Sequence, residues 1–211
     1  MLNGYDVEIR LLALTGLTDL EESLREKMKG PECEGLIEYS GRLCWDTVDK
    51  IETNPRRIQD WIKMGHESVI EHSSATFYIR ASRTLTHELV RHRLASYSQR
   101  SQRYVREMDT RYVEPPEIRD APDSSKIFGE AMQQAWAAYG KLLDLGLKPE
   151  IARYVLPNAC ETQIIMTMNF RELRHFIKLR TSTRALPEMR AIASEIRRIM
   201  KHQAPRVFED L

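Results

Sequence analysis

Between Gly65 and Gly129 the chain has no glycine at all. Phosphate-binding loops of the P-loop or dinucleotide type use glycine to bring backbone N–H groups up to an anion, so neither occurs in that span. Acid is missing more locally: residues 91–106, RHRLASYSQRSQRYVR, hold five arginines and a histidine with no aspartate or glutamate. Net charge is also nearly absent, because 32 Lys plus Arg oppose 31 Asp plus Glu and leave +1. A domain-wide nucleic-acid binder carries a broad basic bias, so the sequence predicts no nucleic-acid partner and a local anion pocket instead. Only three cysteines occur, Cys33, Cys44 and Cys160, without CxxC or any zinc spacing. They are expected to be packed, reduced thiols, and no metal site is expected. No stretch approaches 18 uncharged apolar residues, and MLNGYDVEIRLLAL has acids before its apolar run and no cleavage site. The expectation is a soluble, cytoplasmic protein with no membrane partner. Repeats, low-complexity tracts and linkers are missing too, which predicts one domain over residues 1–211.

The periodicities that are present alternate between two and 3.6. Val7, Ile9 and Leu11 predict a first strand, and Thr18 with Glu21 a capping box opening a helix through Leu20, Leu24 and Met28. Leu36, Tyr39 and Leu43 recur at helical spacing; NPRRIQDWIKMG predicts a helix capped by Asn54 and stopped by Gly65. In SSATFYIRAS, Ala75, Phe77, Ile79 and Ala81 face one way, as a half-buried strand requires. A short helix is expected from Thr84 to about Arg93, with the arginine stretch running on from it as a loop. Further helices are predicted over 126–145, with Ile127, Ala131, Ala135 and Leu142 inward, and from Pro149 to before Pro157. ETQIIMTMN predicts a buried strand. Asn169 with Glu172 forms a capping box opening a helix with Leu173, Phe176 and Ile177 inside, and the last helix starts at Pro187 with an apolar stripe from Met189 to Met200. Few strands among many segregated helices predict an α+β fold, a small mostly antiparallel sheet packed with several helices.

With no glycine available, side chains must do the gripping in the arginine stretch. Arg91, Arg93, Arg100 and Arg103 supply forks, Ser96, Ser98 and Ser101 hydroxyls, Gln99 and Gln102 amides. Such a set can bind a phosphate and a base edge together, or can be a solvated basic face.

Spacing separates the two. Arg91-His92-Arg93, seven residues, Ser101 and then Arg103 resemble the signature of the flavin-dependent thymidylate synthases. GHESVIEH at 65–72 is similar to the family's His-Glu-x-x-x-Glu-His stretch, PEIARYVLP to its segment with a nucleotide-binding arginine, and NFRELRHFIKLR to its Asn-x-Arg run with a closing arginine. The resemblance covers four ordered blocks and implies that family's complementing-protein fold. It implies that His66, Ser68, Arg91, His92, Arg93, Gln99, Asn169, Arg171 and His175 bind FAD. It implies that Glu88, Arg91, Gln99, Arg100, Ser101, Gln102, Arg103, Arg153 and Arg180 bind dUMP. Gln99 stands where many members have glutamate, Gln102 where a small residue is frequent, and Glu88 where glutamine is also found. Reductive methylation of dUMP to dTMP, with 5,10-methylenetetrahydrofolate as carbon donor and NADPH as reductant, follows from the same resemblance, as does a homotetramer with shared sites.

The residues agree with that reading. Methylating carbon 5 of uracil builds negative charge at that carbon and at O4, and a guanidinium there stabilises it; Arg180 is the catalytic candidate. Ser101 is read as a ligand, and none of the three cysteines has the adjacent cation that makes a nucleophilic thiolate. His72 is expected to be a structural hydrogen-bonder. Two rivals are a single-strand-binding module stacking bases on Tyr97, Tyr104 and Tyr112 and a flavin-free nucleotide sensor.

Overall fold

The computed structural model describes residue 2 and residues 4–211; Met1 and Asn3, part of the N-terminal stretch read above, lie outside the described residues. Four strands form one sheet: β1 (Glu8–Leu14), β2 (Ser74–Ser82), β3 (Ala95–Gln99) and β4 (Glu161–Asn169). Their order is β1-β2-β4-β3, and every neighbouring pair is antiparallel. The helices are α1 (Glu22–Arg25), α2 (Glu32–Cys44), α3 (Arg57–Lys63), α4 (Arg83–Leu89), α5 (Pro116–Arg119), α6 (Pro122–Asp144), α7 (Pro149–Ala152), α8 (Phe170–Arg180), α9 (Pro187–Gln203) and α10 (Pro205–Phe208). This is the α+β class that the sequence predicts.

The central ladder pairs β2 and β4 without a slip, from Ser74 opposite Asn169 to Ser82 opposite Glu161. Period-two patterning on both strands turns Ala75, Phe77, Ile79 and Ala81 and, opposite them, Ile164, Met166 and Met168 into the core beneath α4, α8 and α9. β4 is the buried strand expected, sealed along one face, with Gln163, Ile165 and Thr167 half-buried on the other. The stripe of α9 is used up by this same core: Met189, Ile192, Ala193, Ile196 and Met200 are sealed inside. A second small cluster joins Met132, Trp136 and Cys160.

Several local expectations need correction. Thr18 does not cap a helix; α1 is one turn, with Glu21 at its N-cap and none of its residues buried. α2 exists, but Leu43 is exposed and the buried face carries Cys33, Ile37 and Gly41. Gly41 is required there, since a Cβ would meet the Trp61 ring at 2.4 Å. In α6, Ile127 and Ala131 face solvent, while Met132, Trp136 and Tyr139 face inward. α3 starts two residues after Pro55, with the Asn54 side chain accepting from the Arg56 N–H at 2.9 Å. The fold closes with α10 after the predicted last helix. Cys44 is exposed, unlike Cys33 and Cys160.

A buried ionic knot ties α10 to α2. Arg206 Nε donates to Glu34 Oε2 at 2.7 Å, and its Nη1 lies 3.2 Å from Glu38 and 3.3 Å from Glu52. Glu38 also accepts from Arg42 Nε at 3.2 Å and from the Glu52 N–H at 3.1 Å. Glu34 and Glu38 are 1% and 0% exposed, so each depends on its cation, and burial pushes the Glu34 carboxyl up. Arg206→Ala strands Glu34 and should cost about 3–5 kcal/mol in urea unfolding at neutral pH. Because an uncompensated carboxyl folds best when protonated, the deficit should be larger at pH 8 than at pH 5. A deficit below about 1 kcal/mol at both pH values would show that the knot is not structural.

Candidate active site

The Asn169 end of β4 carries a chain of four side chains. Glu172 sits in the first turn of α8, where its backbone N–H donates to Asn169 Oδ1 at 2.9 Å, and its carboxylate lies 3.0 Å from Nδ1 of His92. Only half of the predicted capping box forms, because the Glu172 carboxylate serves the imidazole. On the other side of the ring, Arg180 Nε donates to His92 Nε2 at 3.0 Å, and Arg180 Nη1 donates to Glu88 Oε2 at 3.1 Å. A guanidinium only donates, so Nε2 must be the acceptor and Nδ1 must hold the proton that goes to Glu172. Burial pushes the His92 pKa below its ordinary value, with Arg180 and His175 acting the same way and Glu172 opposing. The ring is thus held neutral, in one tautomer, and edge-on to Phe176 at 5.1 Å.

Beside Glu172 opens a cleft of about 630 Å³ lined by Asn169, Arg171, Arg174, His175, Lys178 and Leu94 together with the carboxylates of Glu67, Glu71 and Glu172. Arg171 is held there by Glu71 at 2.6 Å, on the 3-10 turn Glu67–His72 that also carries Ser68. Arg91 and Arg93 stand exposed next to His92, with no ion-pair partner among the described residues. The ligand atoms of His92, Glu172 and His175 lie within 4.8 Å of one another. Both His92 nitrogens are already engaged, however, which leaves little for a metal.

A second group gathers at the Glu161 end. The Arg100 N–H pairs with the carbonyl of Gln163 at 2.9 Å, and its guanidinium grips both oxygens of Glu107 at 2.6 Å. Arg103 is held by Glu150 at 2.8 Å and lies over Tyr104, and its N–H donates to Ser101 Oγ at 3.1 Å. Gln102 is buried with its amide nitrogen unpartnered, and Nη1 of Arg83 is likewise buried and unpartnered among the described residues. Desolvation pulls the Arg83 pKa down, and Arg153 adds to this. Arg153 itself forms no ion pair among the described residues. Two guanidiniums and an amide without acceptors make a place for an anion.

Comparison with known proteins shows the family. The sequence profile of the thymidylate synthase complementing protein family matches residues 23–206. A flavin-dependent thymidylate synthase of Mycolicibacterium vanbaalenii is 45% identical over 195 residues, covering 83% of this chain and 78% of that protein. Proteins of the same name from Geobacter sulfurreducens and Mycobacterium tuberculosis are 42% and 43% identical, over 85% and 83% of this chain and 82% and 78% of theirs. The chain belongs to the flavin-dependent thymidylate synthase family.

For a flavin-dependent thymidylate synthase, the distribution of the expected residues along the sheet is the main finding. The arginine stretch is not one loop: β3 runs through it, so Arg91, His92 and Arg93 lie at one end and Arg100 to Arg103 at the other. Glu88, His92, His175 and Arg180 are brought together, as are Asn169, Arg171 and His175, while His66 and Ser68 lie exposed on the adjoining segment. Gln99 joins neither group, because its amide donates to the hydroxyls of Thr86 and Thr162 at 3.0 and 3.2 Å. His72 is exposed and makes no side-chain hydrogen bond among the described residues, contrary to expectation. Tyr97, expected only as a stacking platform of the rival reading, instead donates its hydroxyl to the carbonyls of Leu89 and His92 at 2.8 and 3.0 Å, and sequence reasoning missed Arg83, Glu107 and Glu150. Glu107 had a signal: it is the first acid after the basic stretch and its natural counter-ion.

The neutral His92 yields a pH prediction. With its folded pKa held below the ordinary 6.5, the ring contributes stability that is present above pH 6.5 and lost as pH falls through the folded value. Glu172, Glu88, Arg180 and His175 surround it. His92→Gln should flatten the loss of thermal stability between pH 7 and pH 5 by on the order of 1 kcal/mol relative to the parent. Identical slopes in the two proteins would mean that folding does not shift the His92 pKa.

Proposed function

We propose that this enzyme of thymidylate biosynthesis converts dUMP, 5,10-methylenetetrahydrofolate, NADPH and a proton to dTMP, tetrahydrofolate and NADP⁺, with FAD at the Asn169 end. The nucleotide lies between the two ends of different chains in a homotetramer. One observation carries this reading. β3 is five residues long, and at about 3.3 Å per step it holds Arg91 to Arg93 and Arg100 to Arg103 apart by roughly 13 Å or more. Arg91 lies before that strand, with Arg180 tied to it through His92, and Ser101 to Arg103 lie after it. That spread suits a nucleotide that draws its contacts from two copies. Exposed apolar side chains near the Glu161 end, among them Tyr104, Met108 and Tyr154 at 76%, 70% and 83%, offer a seam for such a copy.

The residues present fit a flavin dinucleotide. Asn169, Arg171, His175 and Lys178 line a cleft of suitable size, and the unpaired Arg91 and Arg93 beside it suit a diphosphate. When bound, the flavin supplies two electrons from NADPH as the hydride that completes the methyl group. The chain's own part is electrostatic. Arg180, fixed by His92 and Glu88, keeps Nη2 only weakly engaged, 3.5 Å from the Glu88 carbonyl. That nitrogen can meet N3 or O4 of uracil as negative charge develops there. At the other end, Arg83, Arg153 and Gln102 suit the nucleotide phosphate.

No thiol is needed. Burial pushes Cys33 and Cys160 up to about 11, so neither is a thiolate at neutral pH. Their free state suits the reducing cytoplasm, where we place the protein. A single-strand-binding role gains nothing from Tyr97, which is turned into the core and whose hydroxyl pKa burial raises.

Purified protein should show oxidised-flavin absorbance bleached by NADPH, and a colourless preparation that takes up no added FAD would overturn the proposal. Arg180→Ala should lose about 10²–10³ in dTMP turnover at saturating substrates. The triple variant Cys33→Ser, Cys44→Ser, Cys160→Ser should stay within about tenfold of the parent. A folded, flavin-loaded triple variant without turnover would instead identify a cysteine nucleophile.

A further inference from the structure

Outside both groups lies a third cleft, of about 370 Å³, formed where the end of α2, the turn Val48–Lys50 and α3 meet. Its floor is Trp61, 5% exposed, and its walls are Trp45 and Met64, 67% and 56% exposed. Lys50, Arg57 and His66 stand around it, and no carboxylate lines it. In a chain with 31 acids against 32 Lys plus Arg, an acid-free cleft flanked by two tryptophans is an unusual arrangement, and an exposed tryptophan of this extent marks a contact surface.

The cations are not committed elsewhere. Lys50 and Arg57 form no ion pair among the described residues, and Nε of Arg57 is buried without a partner while its guanidinium lies 6.0 Å from the Trp61 ring centre. The wall is also held in place. Glu52, at φ +59°, donates its N–H to the buried Glu38, and Thr53 links Arg42 to the Lys50 carbonyl. A rigid wall reduces the ordering cost of binding.

We infer that this cleft takes the p-aminobenzoyl-glutamate tail of the folate co-substrate, with Trp45 and Trp61 against the aromatic ring and Lys50 and Arg57 on the glutamate carboxylates. The inference rests on the proposed function, and His66 connects the two: it lines this cleft and adjoins Glu67 and Ser68, on the turn that borders the flavin cleft. The cleft's volume is at the low end of the roughly 300–1,000 Å³ of ligand sites, which suits a tail whose head group projects towards the flavin. Additional glutamates bring more negative charge to Lys50 and Arg57, so longer tails bind more tightly.

The test is calorimetric titration of flavin-loaded protein with 5-formyltetrahydrofolate bearing one or three glutamates. The parent should bind the triglutamate about tenfold more tightly. Lys50→Ala and Arg57→Ala should each weaken it about three- to tenfold and shrink the chain-length preference, with flavin content, dUMP affinity and melting temperature unchanged. Trp45→Phe should remove most of the tryptophan-fluorescence quenching that folate causes. Unaltered folate affinity and preference in both cation variants would overturn the inference while leaving the proposed function intact. So would Trp45→Ala breaking the assembly with folate affinity preserved, since the cleft would then be a contact between chains. Failure of the parent to take up flavin and dUMP would overturn both.

Discussion

Nine consecutive backbone pairs between β2 and β4 set the distances in this molecule. Because each pair is opposed without a bulge, the side chains of both strands stay in phase, and one face can be wholly apolar while the other stays mixed. β3 adds to the same ladder, and α4 and α8 spring directly from the ends of β2 and β4. Every residue of the candidate site except those on the 3-10 turns sits on one of these elements or within a few residues of its end. The positions of Asn169, Ser82 and Gln99 are consequently fixed by hydrogen bonds that no site residue makes. The site inherits its geometry from the sheet, and its arginines need not hold one another apart.

Charge is arranged on two principles. Where the chain is sealed, every cation has its acid: Arg206 with Glu34, Arg174 with Asp210, Arg42 with Glu38. Where ligands are expected the pattern is mixed: Arg171, Arg180, Arg100 and Arg103 each meet a carboxylate, while Arg91, Arg93 and Arg153 form no ion pair among the described residues. At Arg180, which already meets Glu88, the neutral imidazole of His92 fixes the direction of the guanidinium without adding a second negative charge. A carboxylate in that place would have oriented the arginine equally well and cancelled the charge that a developing anion needs.

Much of this was legible in the residues. β2 and the start of α8 followed from alternation and from an Asn cap, signals that local physics alone sets. The two ends of the arginine stretch were recognisable by spacing. β3 was not, because Ala95-Ser96-Tyr97-Ser98-Gln99 has no apolar alternation; it is a strand because β4 offers an unpaired edge, which is tertiary context. The buried face of α2 was misread for a related reason, since Glu34, Glu38 and Arg42 look like solvent residues until Arg206, from the far end of the chain, neutralises them. Glu172 matched its capping box, but nothing nearby in sequence showed that His92, eighty positions earlier, would claim its carboxylate.

The placement of the arginines at opposite ends of one strand also has a genetic meaning if sites are completed between chains. A copy damaged at Arg153 still lends its intact Arg180 end to a neighbour, and a copy damaged at Arg180 lends the reverse. Lesions at opposite ends would therefore mask one another in a mixed population, while two lesions at the same end would not. A single coding sequence would thus hold two complementation groups with two boundaries, one within β3 and one within β4, because Arg180 follows Arg153 in the chain.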